Sequence, residues 1–118
     1  MIDFADDAQD LIAGYRRFRA RRYREARDVF YRLRDGQDPA TMIIACADSR
    51  ADPAMIFDGA PGELFVIRNV AALVPPYEES IGLHGVSAAV EFAVTRLKVK
   101  QVVVMGHGGC GGIAASLA

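Results

Sequence analysis

Three short apolar segments constrain the fold of this 118-residue chain more than any other feature. TMIIAC (41–46) and QVVVM (101–105) have strand length and are nearly continuous apolar runs, typical of strands buried on both faces, and LFVIRNVA (64–71) is predicted to be a strand that runs into a loop. Between them lie a helix start at Pro53 and GLHGVSAAVEFAVTRLKV (82–99), whose apolar residues recur at helical spacing. The alternation predicts an α/β fold: a largely parallel β-sheet flanked by helices and joined by right-handed crossovers.

The N-terminal segment is predicted to be a helical arm. Apolar residues recur at steps of three and four over residues 3–34, with a break near Arg21–Arg22. Nine of the fourteen basic residues lie between Arg16 and Arg34. This arginine-rich segment has three open interpretations: a solvated face whose aliphatic stems cover apolar neighbours, a surface that contacts a partner, and a nucleic-acid site. The last is disfavoured because the aromatic and glycine interleaving typical of such sites is missing.

Composition narrows the class of protein. The net charge is −1, with 52% hydrophobic and 25% charged residues, which is typical of a soluble globular protein and gives no global basic field for nucleic acid. No apolar run approaches the roughly 18 residues of a membrane span. The start MIDFADDAQD is acidic and unlike a signal peptide, so a cytoplasmic location without membrane contact is expected. The predicted organisation is an arm over 1–34 and an α/β core over 35–118.

Two polar segments follow strands of the predicted sheet. CADSR (46–50) ends the first strand, and GHGGCGG (106–112) follows the third and turns into a helix predicted to open at Ile113. Ligand sites of parallel sheets lie beyond the carboxyl ends of the strands, so we expect these segments to meet. The residues that would then converge are Cys46, His107 and Cys110. Thiolate and imidazole are the ligands that zinc prefers, and three protein ligands with an open fourth position are typical of a catalytic zinc site.

Other interpretations of these residues are open at this point. Gly106-x-Gly108-x-x-Gly111 between a strand and a helix is also the pattern of a dinucleotide-binding loop. The acidic residue expected about 20 positions later would fall past the last residue of the sequence, and such a loop has no use for His107 or Cys110. Each cysteine taken alone is also consistent with a catalytic thiol or an inert core residue.

Asp48 and Arg50 add a charged pair beside the predicted metal site. Their spacing allows the guanidinium to hold the carboxylate through two hydrogen bonds, which would keep the carboxylate ionised. Asp48 is close enough in sequence to Cys46 to reach the fourth position of the metal or the water bound there. The alternative is a local turn in which Asp48 caps backbone amides.

CADSR together with GHGGCGG resembles the β-class carbonic anhydrases, and GELFVIRNVAALVPPY and HGVSAAVEFAVTRLKV are similar to the segments between those motifs in the family. The likeness is to plant-type members and to the N-terminal half of the family's usual length, so it implies an apparently truncated version of that fold. It implies three zinc ligands and an adjacent aspartate–arginine dyad, with the aspartate as fourth ligand in a closed form. The implied zinc ligands are Cys46, His107 and Cys110, and the implied dyad is Asp48 and Arg50.

The resemblance also implies an activity: reversible hydration of CO2 to bicarbonate and a proton by zinc-bound hydroxide. Gln37 and Phe65 match residues that line the CO2 pocket in plant-type members, and Phe92 stands where those members commonly have a tyrosine. His84, the other histidine, is a candidate proton carrier, although helix-start histidines are commonly just exposed. A homodimer or higher oligomer through the N-terminal helices is implied. The alternatives are a zinc-binding fragment or assembly chain without turnover, and a carbonyl sulfide or carbon disulfide hydrolase.

Overall fold

The computed structural model describes residues 8–118, and the part of the predicted helical arm before Ala8 lies outside them. The chain forms two compact units, one ending at Gly36 and the other spanning Gln37–Ala118. None of the helices within residues 8–118 has the length and apolar character needed to cross a membrane.

The first unit consists of three helices: α1 (Ala8–Ala20), α2 (Arg22–Glu25) and α3 (Arg27–Leu33). The predicted break near Arg21–Arg22 is confirmed, since Arg21 leaves the helical region at φ −121° and ψ −77°. A second break, at Ala26, was not predicted, because no proline or glycine marks it in the sequence. The rings of Phe18, Tyr23 and Phe30, with centroids 5.1–5.9 Å apart, hold the three helices against one another.

The second unit is built on a three-stranded sheet. Its elements are β1 (Thr41–Cys46), α4 (Pro53–Ile56), β2 (Leu64–Asn69), α5 (Gly85–Glu91), β3 (Gln101–Met105) and α6 (Gly111–Leu117). The strand order is β2-β1-β3, and both pairings are parallel, which confirms the predicted parallel sheet. In the register, Cys46 lies opposite Asn69, and Ala45 lies opposite Met105. All three carboxyl ends therefore lie at one edge of the sheet.

The hydrophobic core lies on one face of the two strands β1 and β2. Met42, Ile44 and Ala93 are its buried centre. Partly buried apolar side chains pack around them: Phe65, Ile67, Ala89, Val90 and Val99. The central strand β1 is buried from Met42 to Cys46 because strands flank it on both sides. The edge strand β3 is more open, with Val102 43% and Val104 58% exposed.

Within 64–71, where a strand running into a loop is predicted, the strand ends at Asn69. The Asn69 amide caps the following turn, since it accepts from the Leu73 N–H at 2.7 Å and donates to the Leu73 carbonyl at 2.9 Å. Between them the chain makes a 3₁₀ turn, Val70–Ala72, in which Ala71 takes φ 75°. The left-handed backbone of Ala71 cannot continue a strand.

The helix predicted over 82–99 is shorter and changes type. It begins at Gly85, is α-helical to Glu91 and continues as a π-helical turn over Phe92–Arg96. The wider turn is closed by the Leu97 N–H, which donates to the Phe92 carbonyl at 3.0 Å, and Lys98 then ends the helix at φ 54°. The last helix, α6, begins at Gly111 rather than at Ile113.

Candidate metal centre

Three potential ligands converge at the carboxyl edge of the sheet. Cys46 is the last residue of β1, and His107 and Cys110 lie in the loop from β3 to α6. Their ligand atoms all lie within 4.8 Å of one another, and the two sulfur atoms are 3.9 Å apart. The convergence follows from the parallel pairing of β1 with β3, which brings the two strand ends side by side. Gly109, at φ +65°, provides the reversal between His107 and Cys110 that a side chain would oppose.

The imidazole of His107 is oriented as a metal ligand would be. Its Nδ1 lies 2.9 Å from the carbonyl oxygen of Gly108, so Nδ1 carries the proton and donates it there. Its Nε2 is buried and has no hydrogen-bond partner among residues 8–118. A buried polar atom without a partner is costly, and a metal ion held with the two thiolates would satisfy it.

The charge state of the cysteine also fits a metal. The backbone N–H groups of Asp48 and Ala71, together with the His107 side chain, lower the pKa of Cys46 to about 6. The Cys46 side chain and the Gly108 carbonyl in turn raise the pKa of His107. A thiolate beside an imidazole that has a free Nε2 is a soft N/S donor set, and such sets suit zinc.

Asp48 and Arg50 form a tight pair next to these ligands. The Asp48 Oδ2 accepts from Arg50 Nη2 at 2.7 Å, and Oδ1 accepts from Arg50 Nε at 3.0 Å and from the Arg50 backbone N–H at 2.9 Å. The two predicted arrangements, a bidentate pair and a local amide cap, are thus both present. The Arg50 guanidinium holds the pKa of Asp48 well below its usual range. Oδ2 lies 3.8 Å from His107 Nε2, so an ionised carboxylate borders the ligand cluster.

The two loops of the site are also joined directly. Arg50 Nη2 donates to the Gly109 carbonyl oxygen at 3.3 Å, across 59 residues of sequence. The guanidinium therefore orients Asp48 and contacts the turn between His107 and Cys110 at the same time.

Sequence reasoning missed two contributions from the end of β2. Arg68 donates to the carbonyl oxygens of Cys46 and Asp48, and the Ala71 N–H donates to the Cys46 sulfur at 3.4 Å. The one available signal was an arginine inside an otherwise apolar strand pattern.

The site and its scaffold match known proteins. A profile of the family described as Carbonic anhydrase matches residues 41–118. The chain belongs to the β-class carbonic anhydrase family. It is 43% identical over 107 residues to the carbonic anhydrase of Synechococcus elongatus, covering 91% of this chain and 39% of that protein.

Solved structures of β-carbonic anhydrases have the same fold. The Aspergillus fumigatus enzyme CafA superposes with a TM-score of 0.84 at 34% identity, over 96% of this chain and 52% of that one. The tetrameric enzymes of Sordaria macrospora give a TM-score of 0.81 at 33% identity, over 93% and 53%. The chain thus spans about half the length of these solved carbonic anhydrases.

Two adjacent glycines of the motif have different surroundings. Gly112 packs against the turn after β2. A Cβ at Gly112 would overlap the Val70 side chain and lie 3.1 Å from the Ala71 nitrogen, whereas nothing lies within 4 Å of a Cβ at Gly111.

The residues expected to bind substrate or carry a proton all lie in the second unit. Phe65 packs against the core and lies opposite Met42, which is four residues before Cys46 in β1. The ring centroid of Phe65 is 5.8 Å from that of Phe92. Gln37 is exposed at the start of the second unit. His84 Nε2 lies 3.1 Å from the Ser80 carbonyl oxygen. A substrate role for Gln37, Phe65 and Phe92 stays a prediction, and so does a proton-carrier role for His84.

Proposed function

We propose that this protein catalyses the zinc-dependent, reversible hydration of CO2 to bicarbonate and a proton. One observation carries the proposal: in a member of the β-class carbonic anhydrase family, Cys46, His107 and Cys110 place their ligand atoms within 4.8 Å of one another beside the ion pair of Asp48 and Arg50. These three residues would hold zinc. When bound there, zinc supplies the Lewis acidity that makes water a nucleophile near neutral pH.

Asp48 would orient the attacking water. Because the two contacts from Arg50 keep its carboxylate ionised, Asp48 accepts a hydrogen bond from the water O–H and does not take up its proton. The lone pair of the oxygen would then face the carbon of CO2. In a closed form, Asp48 would itself become the fourth ligand, and Arg50 would have to release it. The released proton would reach solvent directly or through His84.

We further propose that Gln37, Phe65 and Phe92 shape the CO2 pocket. CO2 is small and has no net dipole, so it suits an apolar wall with a single polar group. The adjacent rings of Phe65 and Phe92 would supply that wall, and the Gln37 amide would supply the polar group. Phe92 brings no hydroxyl to this pocket.

The proposed organisation is a homodimer or higher oligomer in the cytoplasm. Residues 1–34 would be the arm that contacts a second copy, and residues 35–118 would be the zinc-binding core. The tetrameric state of the similar Sordaria macrospora enzymes supports an oligomer. The nine arginines and six acidic residues of the arm support a charged interface.

The test combines zinc content with turnover. We expect about one zinc ion per purified chain and CO2 hydration by stopped flow, as the three-ligand site implies. Asp48→Asn should keep zinc and lose most of the hydration rate, because the amide cannot replace an ionised acceptor. Asp38→Asn, which removes an exposed carboxylate outside the site, is the matched control and should keep full activity.

Other outcomes separate the alternatives. Zinc without hydration would favour a zinc-binding fragment or assembly chain. Hydrolysis of carbonyl sulfide or carbon disulfide by the same preparation, without CO2 hydration, would favour a hydrolase on this scaffold. Equal activity of Asp48→Asn and the wild type would rule out the proposed role of Asp48.

A further inference from the structure

We propose that Arg68 is a positioning residue that sets the geometry of both the metal ligand Cys46 and the acceptor Asp48. This inference rests on the proposed function and deepens it. Arg68 Nε donates to the Cys46 carbonyl oxygen at 2.8 Å, and Arg68 Nη2 donates to the Asp48 carbonyl oxygen at 2.6 Å. One guanidinium therefore holds the backbone at the first metal ligand and at the carboxylate two residues later.

Both carbonyl groups lie where β1 ends and its pairing with β2 stops. Beyond Cys46 the chain leaves β1, and the pairing with β2 continues only through the Ala47 N–H, which donates to the Asn69 carbonyl at 2.9 Å. The Asp48 carbonyl also accepts from the Ala51 N–H at 3.1 Å, so what Arg68 adds is one donor group that links the Cys46 and Asp48 carbonyls to each other. Arg68 lies in β2 opposite Ala45, and its side chain reaches across the strand end to supply that donor.

The chemistry of arginine suits two acceptors at fixed positions. Its donors form a rigid planar fork, so two hydrogen bonds fix the relative orientation of the two carbonyl groups. A lysine at this position would bring a single flexible ammonium group, which cannot hold both carbonyls in one plane. Within residues 8–118, Arg68 forms no ion pair with a carboxylate, so its charge interacts with backbone dipoles alone.

The residues after Arg68 hold the same cysteine from a second direction. The Asn69 side chain fixes the turn to Leu73, and within that turn the Ala71 N–H donates to the Cys46 sulfur at 3.4 Å. The end of β2 thus contacts Cys46 at its carbonyl and at its sulfur. Loss of the Arg68 contact would leave the sulfur held by the Ala71 N–H and the Asp48 carbonyl held by the Ala51 N–H, but would remove the side chain that joins the Cys46 and Asp48 carbonyl groups.

The experiment compares Arg68→Met and Arg68→Lys with the matched control Arg96→Met, which removes an exposed arginine outside the site. The readouts are the zinc dissociation constant from chelator competition, the visible absorption of the Co²⁺-substituted protein, and kcat and KM for CO2 hydration. Outer-shell partners of metal ligands typically contribute about 10–100-fold in metal affinity. We expect a loss of that size for Arg68→Met, a shifted Co²⁺ spectrum, and a fall in kcat larger than the change in KM. Arg68→Lys should restore part of the affinity, and Arg96→Met should match the wild type.

Unchanged zinc affinity and an unchanged Co²⁺ spectrum in folded Arg68→Met would overturn the inference, even if its melting temperature falls. If Arg68→Met does not fold, Arg68→Lys decides, since it keeps the charge and the aliphatic stem: wild-type affinity and spectrum there would overturn the inference. A zinc-loaded wild type without CO2 hydration would defeat the proposed function alone, because the affinity and the Co²⁺ spectrum would still test Arg68.

Discussion

Cys46 is held by contacts from several parts of the site. Two backbone N–H groups and the His107 side chain stabilise its thiolate, Arg68 holds its carbonyl group, and Cys110 lies 3.9 Å from its sulfur. A thiolate stabilised in this way is ready to bind a metal without a prior loss of a proton at neutral pH. The ligand is therefore prepared by the protein before any ion is bound.

The thiolate of Cys46 gives a prediction at the residue scale. In the zinc-free protein, alkylation of Cys46 by iodoacetamide should rise with pH around a midpoint near pH 6, since hydrogen bonds lower its pKa to about 6. Above that pH the reactive thiolate is present, and below it the thiol is protonated and slow. Peptide mass spectrometry after timed reactions from pH 4 to 9 measures the Cys46 adduct. A midpoint near the ordinary thiol value of about 8.5 would contradict the prediction.

At the scale of elements, the turn after β2 and the start of α6 depend on each other. The Val70–Ala72 turn has left-handed backbone at Ala71 and Ala72, with φ values of 75° and 52°, and a side chain at Gly112 would collide with it. Such backbone is costly for alanine and persists only where the surroundings hold it. Asn69 holds the turn on one side, and α6 packs against it on the other. As a result, the Ala71 N–H is directed at the Cys46 sulfur.

This packing predicts opposite behaviour for two adjacent glycines. Gly112→Ala should lower the free energy of unfolding by about 1–3 kcal/mol, because its Cβ forces the turn and α6 apart. Gly111→Ala, the matched control, meets open space and should change it by less than about 1 kcal/mol. Urea unfolding followed by circular dichroism measures both. Equal changes in the free energy of unfolding for Gly112→Ala and Gly111→Ala would mean that the turn after β2 does not require a glycine at position 112.

The distribution of charge matters for the whole molecule. Residues 1–34 contain nine arginines and six acidic residues, although the net charge of the chain is only −1. Among residues 8–118, Arg24 and Arg27 have no carboxylate partner. Arginines close together in one short unit repel one another, and an acidic surface on a second copy would reduce that repulsion.

The proposed oligomer should therefore depend on these arginines. Sedimentation equilibrium of the chain at low salt should give a mass of two or more subunits, and about 1 M NaCl should reduce it by screening. The double variant Arg24→Glu, Arg27→Glu should sediment nearer the monomer mass, with helix content checked by circular dichroism. Arg96→Glu reverses an exposed charge outside the arm and should leave the mass unchanged. Equal masses for the double variant and the wild type would contradict an interface through the arm.

Local patterns predicted much of this fold. The strands over 41–46 and 101–105 have their predicted bounds because short, continuous apolar runs are read directly from the sequence. A loop at the end of 64–71 was predicted, but the residue at which β2 ends was not, since a side-chain cap and a left-handed residue terminate the strand. The π-helical turn Phe92–Arg96 was not predicted either, because its apolar residues fit an ordinary helix equally well.

The sequence by itself determined which side chains are the candidate metal ligands and at which edge of the sheet they converge. Cys46, His107 and Cys110 follow apolar strands, and parallel strands end at a common edge. Only the tertiary structure decided how those donors are held: the Arg68 contact with two carbonyl groups, and the close approach of Gly112 to the turn after β2. Periodicity and spacing describe neighbours along the chain, whereas these contacts join residues 20 or more positions apart, whose distances exist only once the chain has folded.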